Sequence, residues 1–212
     1  MDVVYYLGKG SLENDDELRF SLRSLEKYMA DLRKVFVVGE KPDWLEGVEH
    51  LTAFDEHKKE WRNVLLKVRQ ACSVASLSDE FLLMNDDFFA LEPFLGSDLP
   101  FWSIKGANGG NCGPTSFFIH RPMRIKKEWY LKMPLSVEMP GDFSPRTFYA
   151  NFYKAPPTPA RDLILRPGKG MRSFAEQVRG EPWFSIDDIT MTDPEFRQFI
   201  FELYPEPSAF EN

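Results

Sequence analysis

The N-terminal half of the chain alternates between short β-branched or aromatic runs and longer stretches with apolar residues at helical spacing. "VVYYL" at residues 3–7 is followed by Gly8 and Gly10, which predicts a first strand running into a loop. In "SLENDDELRFSLRSLEKYM", Leu18, Leu22, Leu25 and Met29 recur at the helical period, with Phe20 to one side. Asn14 or Asp15 is the expected N-cap, and the acids after it suit the positive end of the helix dipole. "KVFVVGE" at 34–40 predicts a second strand, "KPDWL" a turn, and "EHLTAF" at 49–54 a short third strand. Residues 58–76 predict a second helix, with Trp61, Val64, Leu65, Val68, Ala71, Cys72 and Ala75 as its apolar stripe. "EFLLMNDDFFAL" at 80–91 reads as one more strand, interrupted by Asn85-Asp86-Asp87.

The second half is less regular. A glycine- and asparagine-rich loop at 107–114 precedes "TSFFIHRPM", and "KKEWYLKM" predicts a helix. "PPTPARD" at 156–162 reads as a turn-rich connector. In the tail, Asp193-Pro194 supplies an N-cap and first helical residue. Phe196, Phe199, Ile200 and Leu203 then line one face, and Pro205 stops the helix. The β-α-β-β-α-β order predicts an α/β fold: a mostly parallel, Rossmann-like sheet flanked by helices, with the C-terminal helix packed back on it. No linker divides the chain, so a single compact domain over 1–212 is expected.

Composition narrows the class. With 43% hydrophobic residues in 212, the chain has ample material for a core. A net charge of −7 disfavours nucleic acid and anionic membranes as partners. Two cysteines, Cys72 and Cys112, imply reduced thiols rather than a disulfide framework. No apolar run approaches the ~20 residues of a membrane span. The opening "MDVVYYLGKG" has no signal-peptide pattern, so a cytoplasmic location is expected.

In parallel α/β sheets, ligands bind at the carboxyl ends of strands. Asn85-Asp86-Asp87 falls at such an end, and burying ionised carboxylates is costly without a partner. Asp86 and Asp87 are hard oxygen ligands suited to Mg²⁺ or Mn²⁺ held with a phosphorylated substrate. In an extended segment only one of them points at a given ion, whereas in a turn both can; a solvated strand end is the plainer alternative. "GKGS" at 8–11 resembles a phosphate cradle, but the acids at 13, 15, 16 and 17 would repel an anion, which favours a simple turn. Arg19 and Arg23, four apart on one helical face, form a guanidinium fork for a diphosphate or sugar, a salt bridge fixing the helix to the sheet, or simply a solvated face. His120, before Arg121-Pro122, is a candidate general base or a structural histidine. Arg146, within aromatic "FSPRTFYANFY", needs a carboxylate or an anionic ligand.

In order along the chain, "DVVYYL", "NDDELRFSLRSLEKYMADLRKVFVVGEKPDWL", "FLLMNDDFF", "HRPMRIKKEWYLKM" and "LYPEPSAFEN" resemble the four blocks of the Stealth family of sugar-1-phosphate transferases. The family includes capsular polysaccharide phosphotransferases and the catalytic part of N-acetylglucosamine-1-phosphotransferase. The second block is long and specific, the other three short, and the usual "TWVDG" of the first block is replaced by "YLGKG". The resemblance implies transfer of a hexose-1-phosphate, such as N-acetylhexosamine-1-phosphate, from a UDP-sugar to a sugar hydroxyl in polysaccharide synthesis. It maps catalytic positions onto Asp2, Asp86, His120 and Arg146, and the metal onto Asp86 and Asp87. Asn14, Glu17, Arg19, Arg23 and Asn85 are expected on the substrate side. A metal-dependent, GT-A-like glycosyltransferase releasing UDP is the alternative enzyme, and a non-catalytic glycan-binding module the alternative outside enzymes.

Overall fold

In the computed structural model, residues 1–8, 13–58, 60–101, 103–105, 120–133, 145–153, 158–168 and 172–212 are described. Residues 9–12, the glycine-rich loop at 107–114, Cys112 and the run "TSFFI" lie outside them. The elements in order are β1 (Asp2–Leu7), α1 (Asp16–Tyr28), β2 (Lys34–Gly39), β3 (Glu49–Leu51), α2 (Glu60–Cys72), β4 (Glu80–Met84) and β5 (Phe88–Ala90). They continue as β6 (Ser103–Lys105), β7 (Met123–Lys126), α3 (Lys127–Lys132), α4 (Pro145–Phe152), β8 (Thr158–Ala160) and β9 (Ile164–Leu165). The chain closes with α5 (Phe174–Gln177), β10 (Trp183–Ile186) and α6 (Pro194–Leu203).

The central sheet has the order β3-β2-β1-β4-β7, parallel except for β7. Both faces are covered, and the strands show it residue by residue. Val3, Tyr5 and Leu7 of β1, with Val35, Val37, Leu82 and Met84, pack in one cluster with the apolar stripe of α1. Val4, Phe36, Val38, Phe81 and Leu83 point the other way, into a cluster with Leu65, Val68 and Cys72 of α2. The strand order reverses between β1 and β4, so their carboxyl ends form a topological switch point.

Two expectations change. The apolar run 80–91 is two strands, not one: β4 belongs to the central sheet, while β5 pairs antiparallel with β10 in a second sheet ordered β5-β10-β9. The turn at Asn85-Asp86-Asp87 carries the chain from one sheet to the other. The connector at 156–162 holds the short strand β8, paired with β6. The C-terminal helix does pack back, with Asp193 capping Glu195 N and Phe196 N, but its Phe196 and Ile200 meet the second sheet and Phe20 of α1. Among the described residues, Cys72 is a free, buried thiol, and no helix is long and apolar enough to cross a membrane.

Candidate active site

At the switch point a cleft of about 460 Å³ opens above the ends of β1 and β4. Its acids come in pairs from four parts of the chain. Asp15 and Glu17 flank the start of α1, Asp55 and Glu60 lie around the start of α2, Asp86 and Asp87 form the turn, and Asp187 and Asp188 follow β10. Such a cleft repels a polyanion unless cations accompany it.

The turn is held from behind. Residue parity puts Asn85 on the same side as Tyr6, because Tyr5 pairs with Met84. The Tyr6 hydroxyl donates to Asn85 Oδ1, and Arg146 Nη2 donates to the same oxygen at 2.5 Å. Arg146 is 1% exposed, donates Nη1 to the Arg121 carbonyl at 3.1 Å, and lies 5.0 Å from the Phe88 ring. Antiparallel pairing of Met123 with Leu83 draws the residues before β7 alongside the turn. His120 is there, its backbone N–H donating to Asp162 Oδ1 at 3.0 Å and its Nδ1 3.6 Å from the same oxygen.

Burial, the neighbouring Asp87 and then Glu17 raise the Asp86 carboxyl well above the usual carboxylate range. Burial also raises Asp87, but less, because His120 and Arg146 favour its anion. Asp162 raises His120 above the ordinary imidazole range, against the effect of burial. Asp87 Oδ1 is buried with no hydrogen-bond partner. This donor set fits a divalent ion. Two hard carboxylates face a site where both resist ionisation without added positive charge, and one oxygen is already desolvated and unsatisfied. Among the described residues no group of three or more His, Cys, Asp or Glu forms a ready cage. Mg²⁺ needs none, since it is commonly held by one or two carboxylates, substrate phosphates and water.

The structure therefore brings Asn85, Asp86, Asp87, His120 and Arg146 together, with Glu17 on the cleft wall. Asp2 is not with them. It sits at the opposite, amino end of β1, fully buried, accepting from Ser78 N and Ser78 Oγ at 2.8 Å each and from Arg33. Asp2→Ala is expected to cost about 1–3 kcal/mol, because Ser78 N–H loses its acceptor. The melting temperature falls while kcat/KM of the folded protein stays within about twofold; a selective loss of turnover would return Asp2 to the site.

Arg19 and Arg23 also stand elsewhere. Arg23 Nη2 donates to Glu211 Oε2 at 2.7 Å and Nε to Glu211 Oε1 at 2.8 Å; Arg19 Nη1 reaches Glu211 Oε2 at 3.1 Å. Arg19 also lies 4.3 Å over the Trp44 ring. In the structure the arginine pair is engaged in a salt bridge whose partner comes from the far end of the chain. Asn14 is exposed outside the cleft lining, in the left-handed region (φ 53), and its carbonyl accepts from Trp44 Nε1 at 3.0 Å. Sequence reasoning missed Asp187 and Asp188, although "WFSIDD" repeats the apolar-strand-then-acid-pair pattern of "FLLMNDD". It also missed Asp162, Tyr6 and Lys67, which carry no local motif.

No protein-family model matches the chain. It is similar to the exopolysaccharide phosphotransferase SCO2592 of Streptomyces coelicolor, at 34% identity over 201 residues, a match covering 84% of this chain and 20% of that protein. The chain thus spans about a fifth of that relative's length. Among solved structures it resembles the galactosyltransferase LgtC in complex with donor and acceptor sugar analogs. The TM-score is 0.55 at 11% identity, with 100% of this chain and 98% of that one covered. At such identity the likeness is one of fold: the two chains share an α/β architecture. The sequence match to a phosphotransferase agrees with the Stealth-like motifs of the chain.

Proposed function

We propose that the cleft binds a UDP-sugar with Mg²⁺ or Mn²⁺ and transfers its hexose-1-phosphate, N-acetylhexosamine-1-phosphate in our reading, to a sugar hydroxyl during polysaccharide synthesis. The observation that carries this is the half-buried carboxylate pair at the switch point, with an imidazole and a guanidinium beside it. A lone acid pair serves many sites; an acid pair with a base and a fixed cation suits attack at phosphorus, where positioning and charge neutralisation do most of the work. The similarity to an exopolysaccharide phosphotransferase supports the same chemistry.

Asp86 and Asp87 would hold the divalent ion, which when bound neutralises charge on the diphosphate and on the departing UMP. His120 accepts the proton of the acceptor hydroxyl. Asp162 raises its basicity and, through the His120 backbone, fixes its position, which is the arrangement a general base needs. The acceptor oxygen forms a bond to the sugar-bearing phosphorus, the bond from that phosphorus to the UMP oxygen breaks, and UMP leaves. Arg146 stabilises charge near the turn and holds Asn85 in place.

The test is a panel of UDP-sugars and sugar acceptors with Mg²⁺ or Mn²⁺, resolving UMP from UDP. Metal- and acceptor-dependent UMP supports the proposal. UDP instead moves the protein to glycosyl transfer, the alternative that the LgtC-like fold favours. His120→Ala is expected to leave UDP-sugar affinity within about twofold and to lower kcat about 10²–10⁴-fold. Full turnover by this variant removes His120 as the base, and an inert wild type with intact sugar binding leaves a glycan-binding module.

A further inference from the structure

One wall of the cleft is built by α2 and the loop at 52–58. Asn63, 7% exposed, ties that loop to the helix: it accepts from His57 N at 3.0 Å and donates Nδ2 to the His57 carbonyl at 2.9 Å. One turn on, Lys67 lies on the same face. Its ammonium donates to the Leu7 carbonyl at 2.5 Å and lies 2.6 Å from Asp55 Oδ1. Gly8, the next residue along β1, is so close to this loop that a Cβ there would stand 3.5 Å from Asp55 Oδ2.

Among the described residues, two lysines line the cleft. Lys58 is exposed to solvent, whereas the Lys67 side chain is 4% exposed. Lys67 is thus a desolvated cation at the carboxyl end of β1, in a cleft otherwise dominated by acids. Its partner Asp55 sits on a surface loop with 31% of its side chain exposed. An ammonium has three donors, of which the Leu7 carbonyl and Asp55 engage two. A phosphate competes with a partly solvated carboxylate for such a group at small cost, because Asp55 regains water on release.

We propose that Lys67 is a phosphate-binding residue, exchanging Asp55 for the diphosphate of the incoming nucleotide sugar while keeping its bond to the Leu7 carbonyl. This rests on the nucleotide-sugar reading of the cleft and extends it to a residue of α2. A purely structural Lys67–Asp55 pair makes the opposite prediction for one variant. If Asp55 competes with phosphate, Asp55→Asn tightens nucleotide binding; if the pair only staples the loop, it does not.

The experiment is calorimetric titration of UDP with Mg²⁺ into the wild-type chain, Asp55→Asn and Lys67→Met, with a melting curve for each. Asp55→Asn is expected to bind UDP about 3–10-fold more tightly, and Lys67→Met about 10–100-fold more weakly. Should Lys67→Met fail to fold, Asp55→Asn decides alone. Folded Asp55→Asn that binds UDP no more tightly than wild type overturns the proposal, as does wild-type affinity in Lys67→Met. No UDP binding by the wild-type chain overturns the nucleotide-sugar reading and this inference with it.

Discussion

Asp86→Asn is expected to lower kcat/KM on the order of 10³-fold while leaving the fold as stable as before or more so. The two halves of that result have one cause. Burial and the nearby Asp87 and Glu17 raise the Asp86 carboxyl above its unfolded value. For an acid, a raised folded pKa means that ionisation opposes folding: above the unfolded pKa the group costs stability, and the cost persists as pH rises through the folded value. Asn keeps the shape and removes the charge, so this cost disappears together with the ligand we propose for the divalent ion. Activity and melting temperature should therefore move in opposite directions, the pattern of a strained functional group rather than a structural one. A melting temperature that falls with activity, or turnover that survives, refutes the assignment.

Glu211→Ala is expected to give the converse, the largest loss of stability from a single side chain far from the cleft. Glu211 is 4% exposed and Arg23 9%. Burial by itself would raise the Glu211 carboxyl, but hydrogen bonds from Arg23 and Ser208 N bring it down to about 2. Removing it leaves Arg23 buried beside the Tyr204 carbonyl without its counter-charge. Breaking a buried pair from one side costs about 3–5 kcal/mol, which lowers the melting temperature by roughly 6–20 °C in a chain of this size. The pH dependence follows the sign of the shift. A carboxyl depressed on folding contributes stability that is fully present above its unfolded value near 4.5 and is lost as pH falls towards 2. Wild type and Glu211→Ala should thus converge in stability over that acid range, as followed by thermal melts at stepped pH. Parallel curves would mean that the carboxylate does not carry the effect.

The α/β class and the first two helices were legible because β-branched runs and helical stripes alternate cleanly up to residue 84. The break at Asn85 was legible too, since three polar residues in an apolar run demand an explanation. What could not be read was that Phe88 and Phe89 leave the central sheet: an apolar residue looks the same whichever sheet buries it. Arg19 and Arg23 illustrate the same limit for charge. A guanidinium pair at helical spacing fits a diphosphate or a carboxylate equally well, and the carboxylate here is 188 positions from Arg23. Lys67 was hidden within an apolar stripe, where a lysine ordinarily snorkels to solvent.

The three-residue turn between β4 and β5 has a consequence for how this site can vary. Its upstream neighbour Met84 is locked in register with Tyr5, and its downstream neighbours Phe88 and Phe89 with Ser185 and Phe184. Adding or deleting one residue would rotate Phe88 and Phe89 onto the wrong faces of the second sheet, exchanging which of the two apolar clusters each fills. Insertions and deletions are therefore closed to this segment as routes of drift. Only the identities of residues 85–87 remain open to change, so the spacing of the acid pair from both sheets would outlast changes in its chemistry.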